Sequence, residues 1–382
     1  MKDCKDRLIS LLTGAIRGES GQYVLTAPMS DEEIRELYDL AKKHDLTHLI
    51  GVALETAEPQ DKKRYKPFFG ESVKAMYRYE WLKGEQEKIY DLLERHRIRY
   101  IPLKGAVIRE LYREPWHRTS CDIDVLIPEE CLEAAVTAFE NQLSYTRGKR
   151  SRHDVSLKAQ NGVHLELHFD IDEIYVDCAE LWTDARPIAP ERSRYTLSAE
   201  MLMLTHFGHM AKHFVSGGCG LRPFLDLWLM REKLSYDREK LSQMLDSHGL
   251  TEFSKVAVGV VDVWFDGKTA NETETMAQAF ILPAGAYGDL DNKISVTRSA
   301  GKSEFSYAVQ RIFPPRSSLR IAYPVLDRHP WLLPVCWVRR WLRLIRAGKL
   351  KQVKTEYTIN RRLDADELNH TRELLKRLQL KT

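Results

Sequence analysis

Hydrophobic positions along this chain recur first at helical spacing, then at strand spacing, then at helical spacing again, and these changes of period divide it. Behind Ser30-Asp31-Glu32-Glu33, which has the form of a capping box, Ile34, Leu37, Tyr38 and Ala41 follow at intervals of one helical turn. From about Phe69 to Arg97, Val73, Met76, Tyr77, Ile89, Leu92 and Leu93 repeat the pattern on a charged background, so residues 1–97 read as a helical region. The texture changes at Ile98. "IRYIPL" is a short β-type run, "GAVIRELYRE" a short helix behind a glycine, "DIDVLI" a second strand, and "PEECLEAAVTAFENQL" an amphipathic helix opening on proline. In "VSLKAQNGVHLELHF" two alternating runs flank Asn161-Gly162, a hairpin signal because both turn positions want positive φ. The order predicted over residues 98–170 is strand, helix, strand, helix, strand, strand.

From Thr196 onward helical spacing returns in "LSAEMLMLTHFGHMAKHF", in "LRPFLDLWLMREKL" and near 238–248 and 251–265. A polar, glycine-bearing stretch at 285–304 reads as a loop, followed by the proline-punctuated "RIFPPRSSLRIAYPVLDRHPWLLP" and by helices near 335–347 and 364–379. These elements predict an α+β fold with a small mixed β-sheet embedded between helical regions. Its parts are 1–97, a mixed core at 98–195, and 196–382.

Composition narrows the class. With 382 residues, 43% hydrophobic and 30% charged, the chain has the balance of a globular protein, and its net charge of +3 is too small to argue for nucleic acid by itself. Cys4, Cys121, Cys131, Cys178, Cys219 and Cys336 contain no CxxC pair and no regular spacing, the pattern of free thiols in a reducing compartment. No window reaches the ~18 apolar residues of a spanning helix, and the N-terminus lacks a secretion signal, so the expected location is the cytoplasm.

Within "DIDVLI", Asp122 and Asp124 project to one face of a strand while Ile123, Val125 and Ile127 project to the other. Like charges at that spacing repel. An exposed strand face tolerates them, but the flanking Val-Leu-Ile reads as sheet interior, and a divalent cation removes the repulsion; oxygen donors suit Mg2+ or Mn2+. In "VHLELHF" the apolar residues share one face and leave His164, Glu166 and His168 on the other. If that strand neighbours the first, Glu166 supplies a third carboxylate. Upstream, Gly105 opens a helix where backbone N–H groups can meet phosphate, with Lys104 beside it.

Together these residues resemble the polymerase-beta-like nucleotidyltransferase superfamily, whose pattern is a glycine-containing strand-to-helix turn, an Asp-h-Asp/Glu strand and a later h-Asp/Glu-h strand. More closely, "PLKGAVIRELY", "CDIDVLI", "VHLELHF" and "LRPFLDLWLM" are similar to a bacterial family of uncharacterised nucleotidyltransferases. The resemblance implies a metal-dependent enzyme that transfers a nucleoside monophosphate from a nucleoside triphosphate. It casts Asp122, Asp124 and Glu166 as metal ligands, Glu166 alternatively as base, and Lys104, Gly105 and Arg118 as phosphate contacts. Ala106 after Gly105 departs from the superfamily, which usually places a serine or glycine there.

Other residues stay open. His206, His209 and His213 share a helical stripe and can ligate zinc or line a substrate pocket, with His209 taken as a pocket residue. Arg222 and Asp226 at i, i+4 form an intrahelical ion pair or hold substrate. "WVRRWLRLIRAGKLKQVK" can meet a polyanion, either an anionic membrane or nucleic acid, or leave its arginines solvated. An inactive nucleotide-sensing or partner-binding module on the same fold is the alternative to an enzyme, and the acceptor, whether protein, small molecule or RNA, is not legible.

Overall fold

Ser30 caps the helix it precedes. Its Oγ accepts from Glu33 N at 3.2 Å while Glu33 Oε2 accepts from Ser30 N at 2.7 Å, so two donors left orphaned by the first turn are satisfied reciprocally. The computed structural model describes residues 4–18, 29–55, 62–171, 174–286, 288–301, 303–320 and 322–380. The chain begins with α1 (Cys4–Arg17), α2 (Asp31–Lys43), α3 (Thr47–Leu54) and the long α4 (Lys66–Arg95). Helices α3 and α4 approach closely at Gly51, where a Cβ would stand 2.2 Å from Ser72 Oγ and 2.7 Å from Phe68 O.

The mixed region follows: β1 (Ile101–Pro102), α5 (Gly105–Ile108), β2 (Asp122–Leu126), α6 (Leu132–Leu143), β3 (Thr146–Arg150), β4 (Asp154–Lys158) and β5 (His164–His168). They form a five-stranded sheet in the order β1-β2-β5-β4-β3. Strand β2 runs parallel to β5, and every other pairing is antiparallel. Beyond it come α7 (Cys178–Asp184), the ribbon β6 (Arg186–Pro187) and β7 (Tyr195–Thr196), α8 (Ala199–Val215), α9 (Arg222–Lys233), α10 (Arg238–Ser247) and α11 (Thr251–Phe265). The chain closes with α12 (Glu272–Ile281), α13 (Leu290–Ser299), α14 (Glu304–Ile312), α15 (Arg316–Leu319), α16 (Val325–Arg328), α17 (Leu333–Arg346), α18 (Leu350–Arg362) and α19 (Ala365–Arg377). This is the α+β architecture expected, with helices on both sides in sequence of a small mixed sheet.

Three local expectations need correction. Strand β3 is absent from the sequence reading because its residues, Thr-Arg-Gly-Lys-Arg, are all exposed and carry no apolar alternation. The Asn161-Gly162 turn is longer than a two-residue hairpin: Ala159 N donates to Val163 O and Gly162 N to Ala159 O, and of the two only Gly162 has positive φ, +92°. Asn161 instead accepts from Val163 N through its side chain. The stretch 285–304 contains α13, capped by Asp289, whose few buried apolar residues, Ile294 and Val296, were too sparse to show a period; Tyr287 and Lys302 lie outside the described residues.

Two large cores result. One joins α1–α3 with α8–α13 and α19; the other packs α4 and α6 on one face of the sheet through Ile123, Val125, Val155, Leu157, Leu165 and Leu167. The alternation that buries those residues leaves Asp122, Asp124, Glu166 and His168 on the opposite face. None of the six cysteines is in a disulfide, and among the described residues no helix is long and apolar enough to cross a membrane.

Glu85 of α4 fastens the sheet to its helix. Its carboxylate is buried and accepts from Tyr145 Oη at 2.9 Å, Asn161 Nδ2 at 2.7 Å and Lys88 Nζ at 3.0 Å. Glu85→Ala strands the buried Tyr145 hydroxyl and frees the Asn161 amide, and should cost about 2 kcal/mol in urea unfolding, whereas Lys88→Ala, at an exposed ammonium, should cost under about 0.5 kcal/mol. Equal small effects would refute the anchoring role.

Candidate active site

Between β1 and β2 the backbone is strained in a useful direction. Leu103 N donates to Asp124 O at 3.1 Å, and Lys104 then takes φ +45° and ψ −114°, a conformation that costs an L residue about 1–3 kcal/mol. The strained turn brings Lys104 Nζ to 3.0 Å from Asp124 Oδ1. At Gly105, which follows, a Cβ would lie 2.8 Å from Arg118 Nη1 and press on a guanidinium that Asp226 holds.

The parallel register of β2 and β5 sets Asp122 opposite His164 and Asp124 opposite Glu166. His168 Nε2 reaches Asp124 Oδ1 at 3.0 Å and Glu166 Oε2 at 3.5 Å, while His164 Nε2 meets Ser156 Oγ at 2.5 Å. Charge divides unequally over this face. Burial would raise the proton affinity of Asp124, but the His168 hydrogen bond and the Lys104 ammonium hold its carboxyl well below the usual carboxylate range. Glu166 is lowered as well, chiefly by His168. Burial opposes a charge on His168, yet its bonds to Asp124 and Glu166 carry its pKa up to about 9. Asp122 is raised, by burial first and then by Asp124 and Glu166, which outweigh the opposing pull of Lys104 and His164.

A second polar cluster braces the first. Asp226, 1% exposed, receives Arg118 Nε and Nη2, each at 2.9 Å, and Tyr112 Oη at 2.8 Å. The Arg222–Asp226 intrahelical pair therefore does not form. Arg222 Nη1 turns to Asp45 Oδ2 at 3.0 Å, which Thr119 Oγ1 also reaches at 2.9 Å. Arg109 Nε donates to Gly105 O at 2.9 Å and its Nη2 to Ser120 Oγ at 2.6 Å, holding the turn from behind.

These clusters wall a cavity of about 300 Å³. Lys104, Gly105, Arg118, Asp122, Asp124, His209, Arg222 and Asp226 all line it; Glu166, opposite Asp124 on β5, is not part of the lining. His206 and His213 line it as well, but His206 Nε2 donates to Pro223 O at 2.8 Å, and the His209 and His213 rings meet edge to face at 4.4 Å. Among the described residues, donor atoms gather within 4.8 Å of one another in two groups, Asp122-His164-Glu166 and Asp124-Glu166-His168, and the histidine stripe contributes to neither.

The sequence reading put His164 and His168 on this face but gave them no role; the signal was their alternation about Glu166. Tyr112, Arg109, Asp45 and Thr119 carried no local signal, because only the fold brings them to Asp226, Gly105 and Arg222.

A family model described as an uncharacterised nucleotidyltransferase matches residues 30–266, from just before α2 through α11. That is more than half of the chain, and the chain belongs to this nucleotidyltransferase family. No curated protein matches it. The matched span contains every residue that lines the cavity except Ala286.

The charge distribution separates the two aspartates. Without metal, Asp122→Asn removes a repelled carboxylate and should leave stability unchanged or raise it by up to about 1 kcal/mol. Asp124→Asn leaves Lys104 and His168 without their shared anion and should cost about 2–4 kcal/mol. Urea unfolding in EDTA distinguishes them; equal destabilisation of both variants would contradict the division of charge.

Proposed function

We propose that this chain is a divalent-metal-dependent nucleotidyltransferase that moves a nucleoside monophosphate from a nucleoside triphosphate to an acceptor. The observation that carries the reading is the convergence of Lys104, Asp122 and Asp124 at one cavity, with Glu166 beside them, in a member of a nucleotidyltransferase family. The donor set fits Mg2+ or Mn2+: Asp122, Asp124 and Glu166 offer hard oxygen donors, and the raised proton affinity of Asp122, crowded by the other two carboxylates, is what an added cation would relieve. When bound there, such an ion supplies charge neutralisation at the reacting phosphate.

The chain's own groups do the rest. Lys104 is a mobile ammonium positioned by a strained turn, able to leave Asp124 for a triphosphate oxygen while Asp124 takes up a ligand role. Glu166, held ionised by His168, is better suited to ligation than to taking a proton. Arg118 spends Nε and Nη2 on Asp226, so its part is to fix the turn at Gly105 and present its remaining edge to phosphate. His209, Arg222 and the apolar wall of Leu202 and Met210 face the space left for nucleoside or acceptor. In the transfer, the acceptor oxygen bonds to the α-phosphorus, the bond to the bridging oxygen breaks, and diphosphate leaves. The acceptor's proton passes to solvent water at the open side of the cavity. A reaction that consumes nucleoside triphosphates belongs in the cytoplasm.

The test incubates the chain with each α-labelled nucleoside triphosphate, Mg2+ or Mn2+ and cell lysate. One nucleotide should label an acceptor, and Asp122→Asn and Asp124→Asn should each reduce labelling on the order of 100-fold or more. Tight nucleotide binding with no transfer under any condition would instead favour the sensing module, for which Ala106 and the commitment of Arg118 to Asp226 already speak.

A further inference from the structure

Residues 304–350 lie beyond the span of the family match, and their helices are built differently from the rest. Helix α17 uses one face to pack: Cys336 is buried against Leu319 and Leu326, Trp337 Nε1 donates to Pro314 O at 2.8 Å, and Trp341 Nε1 to Ile312 O at 3.0 Å. A second apolar face is left over. Val335, Val338, Leu342 and Ile345 recur one turn apart and are 47–60% exposed. Arg339, Arg343 and Arg346 each follow one of these by a single residue, about 100° around the helix, and so form a cationic margin along the stripe.

Other large apolar side chains of this segment are exposed as well. Phe313, half exposed, sets its ring 5.1 Å from Trp337, while Phe305 of α14 and Trp331 before α17 are 78% and 69% exposed. The margin is also unneutralised: among the described residues Arg339, Arg346, Lys349, Lys351 and Lys354 make no ion pair. An exposed apolar stripe rimmed by uncompensated cations complements a surface that is apolar within and anionic at its margin. Nucleic acid would satisfy the arginines but bury nothing on Val338 and Leu342, and a second copy of this face would set arginine against arginine.

We propose that α14 and α17 dock the protein peripherally on an anionic phospholipid bilayer, with the Val335–Ile345 stripe entering the headgroup boundary and the flanking arginines and lysines meeting lipid phosphates. The helix lies on the bilayer, since none among the described residues is long and apolar enough to cross it. This inference is independent of the nucleotidyltransferase reading.

The test is vesicle co-sedimentation of the full chain with phosphatidylcholine alone or with about one third phosphatidylglycerol. Binding should require the anionic lipid and weaken with salt. Val338→Glu with Leu342→Glu, and separately Arg339→Glu with Arg346→Glu, should each lower apparent affinity by roughly tenfold or more. Both pairs lie on exposed positions, so melting temperatures should hold, and Val338→Ala with Leu342→Ala provides a milder check. Three results would overturn the proposal: no pelleting with anionic vesicles; pelleting that neither double variant weakens; or, without vesicle binding, association with RNA or self-association in sedimentation velocity.

Discussion

The buried carboxylate of Asp124 organises this molecule's chemistry. A charge at a sheet interior is tolerated only when partners replace the water it has lost, and here the partners come from the two strands that flank β2. Lys104 arrives from the end of β1 through a turn held at positive φ, and His168 from the end of β5 through the parallel register. Because the same carboxylate ties both neighbours, the geometry of the site and the pairing of the sheet are one constraint. The two cationic groups also occupy Asp124 Oδ1 in the way that a metal ion would.

Around this centre the helices contribute rigidity from a distance in sequence. Asp226 of α9 holds Arg118 and Tyr112, and Asp45, just after α2, holds Arg222 and Thr119. The loop entering β2 is thus clamped from two helical regions, which accounts for a family match that begins near α2 and runs through α11 rather than covering the sheet alone. Asp122 is the exception, a half-buried carboxylate with raised proton affinity and no cation in hydrogen-bond contact in the same cluster. That asymmetry is what the proposed metal site would require.

Alternation made much of this legible in advance. The Asp-Ile-Asp and His-Leu-Glu-Leu-His patterns fix facing from the period of a strand, and a strand reaches only its neighbours, so bringing Asp122, Asp124 and Glu166 together needed one correct adjacency. The helix start capped by Ser30 was equally readable. What was illegible depended on tertiary placement. Asp226 pairs with Arg118, 108 residues away, and not with Arg222 one turn away, because burial rewards a bidentate guanidinium over an exposed i, i+4 contact. Strand β3 and α13 escaped because their apolar content is low. The compensation of Asp124 escaped too: the aspartate pair read as mutual repulsion, since nothing local shows that His168 would turn toward it.

Under the proposed function, Lys104 Nζ at Asp124 Oδ1 holds the place of a metal ion. This claim is tested most directly by titrating Mn2+ into metal-free protein and following water-proton relaxation, for wild type and for Lys104→Met, without nucleotide. If the ammonium and the ion compete for one carboxylate, the variant binds Mn2+ more tightly, by roughly tenfold, while retaining its fold. Equal or weaker binding by Lys104→Met would contradict the account, because it would mean that Lys104 supports a structural carboxylate and that no metal is received there.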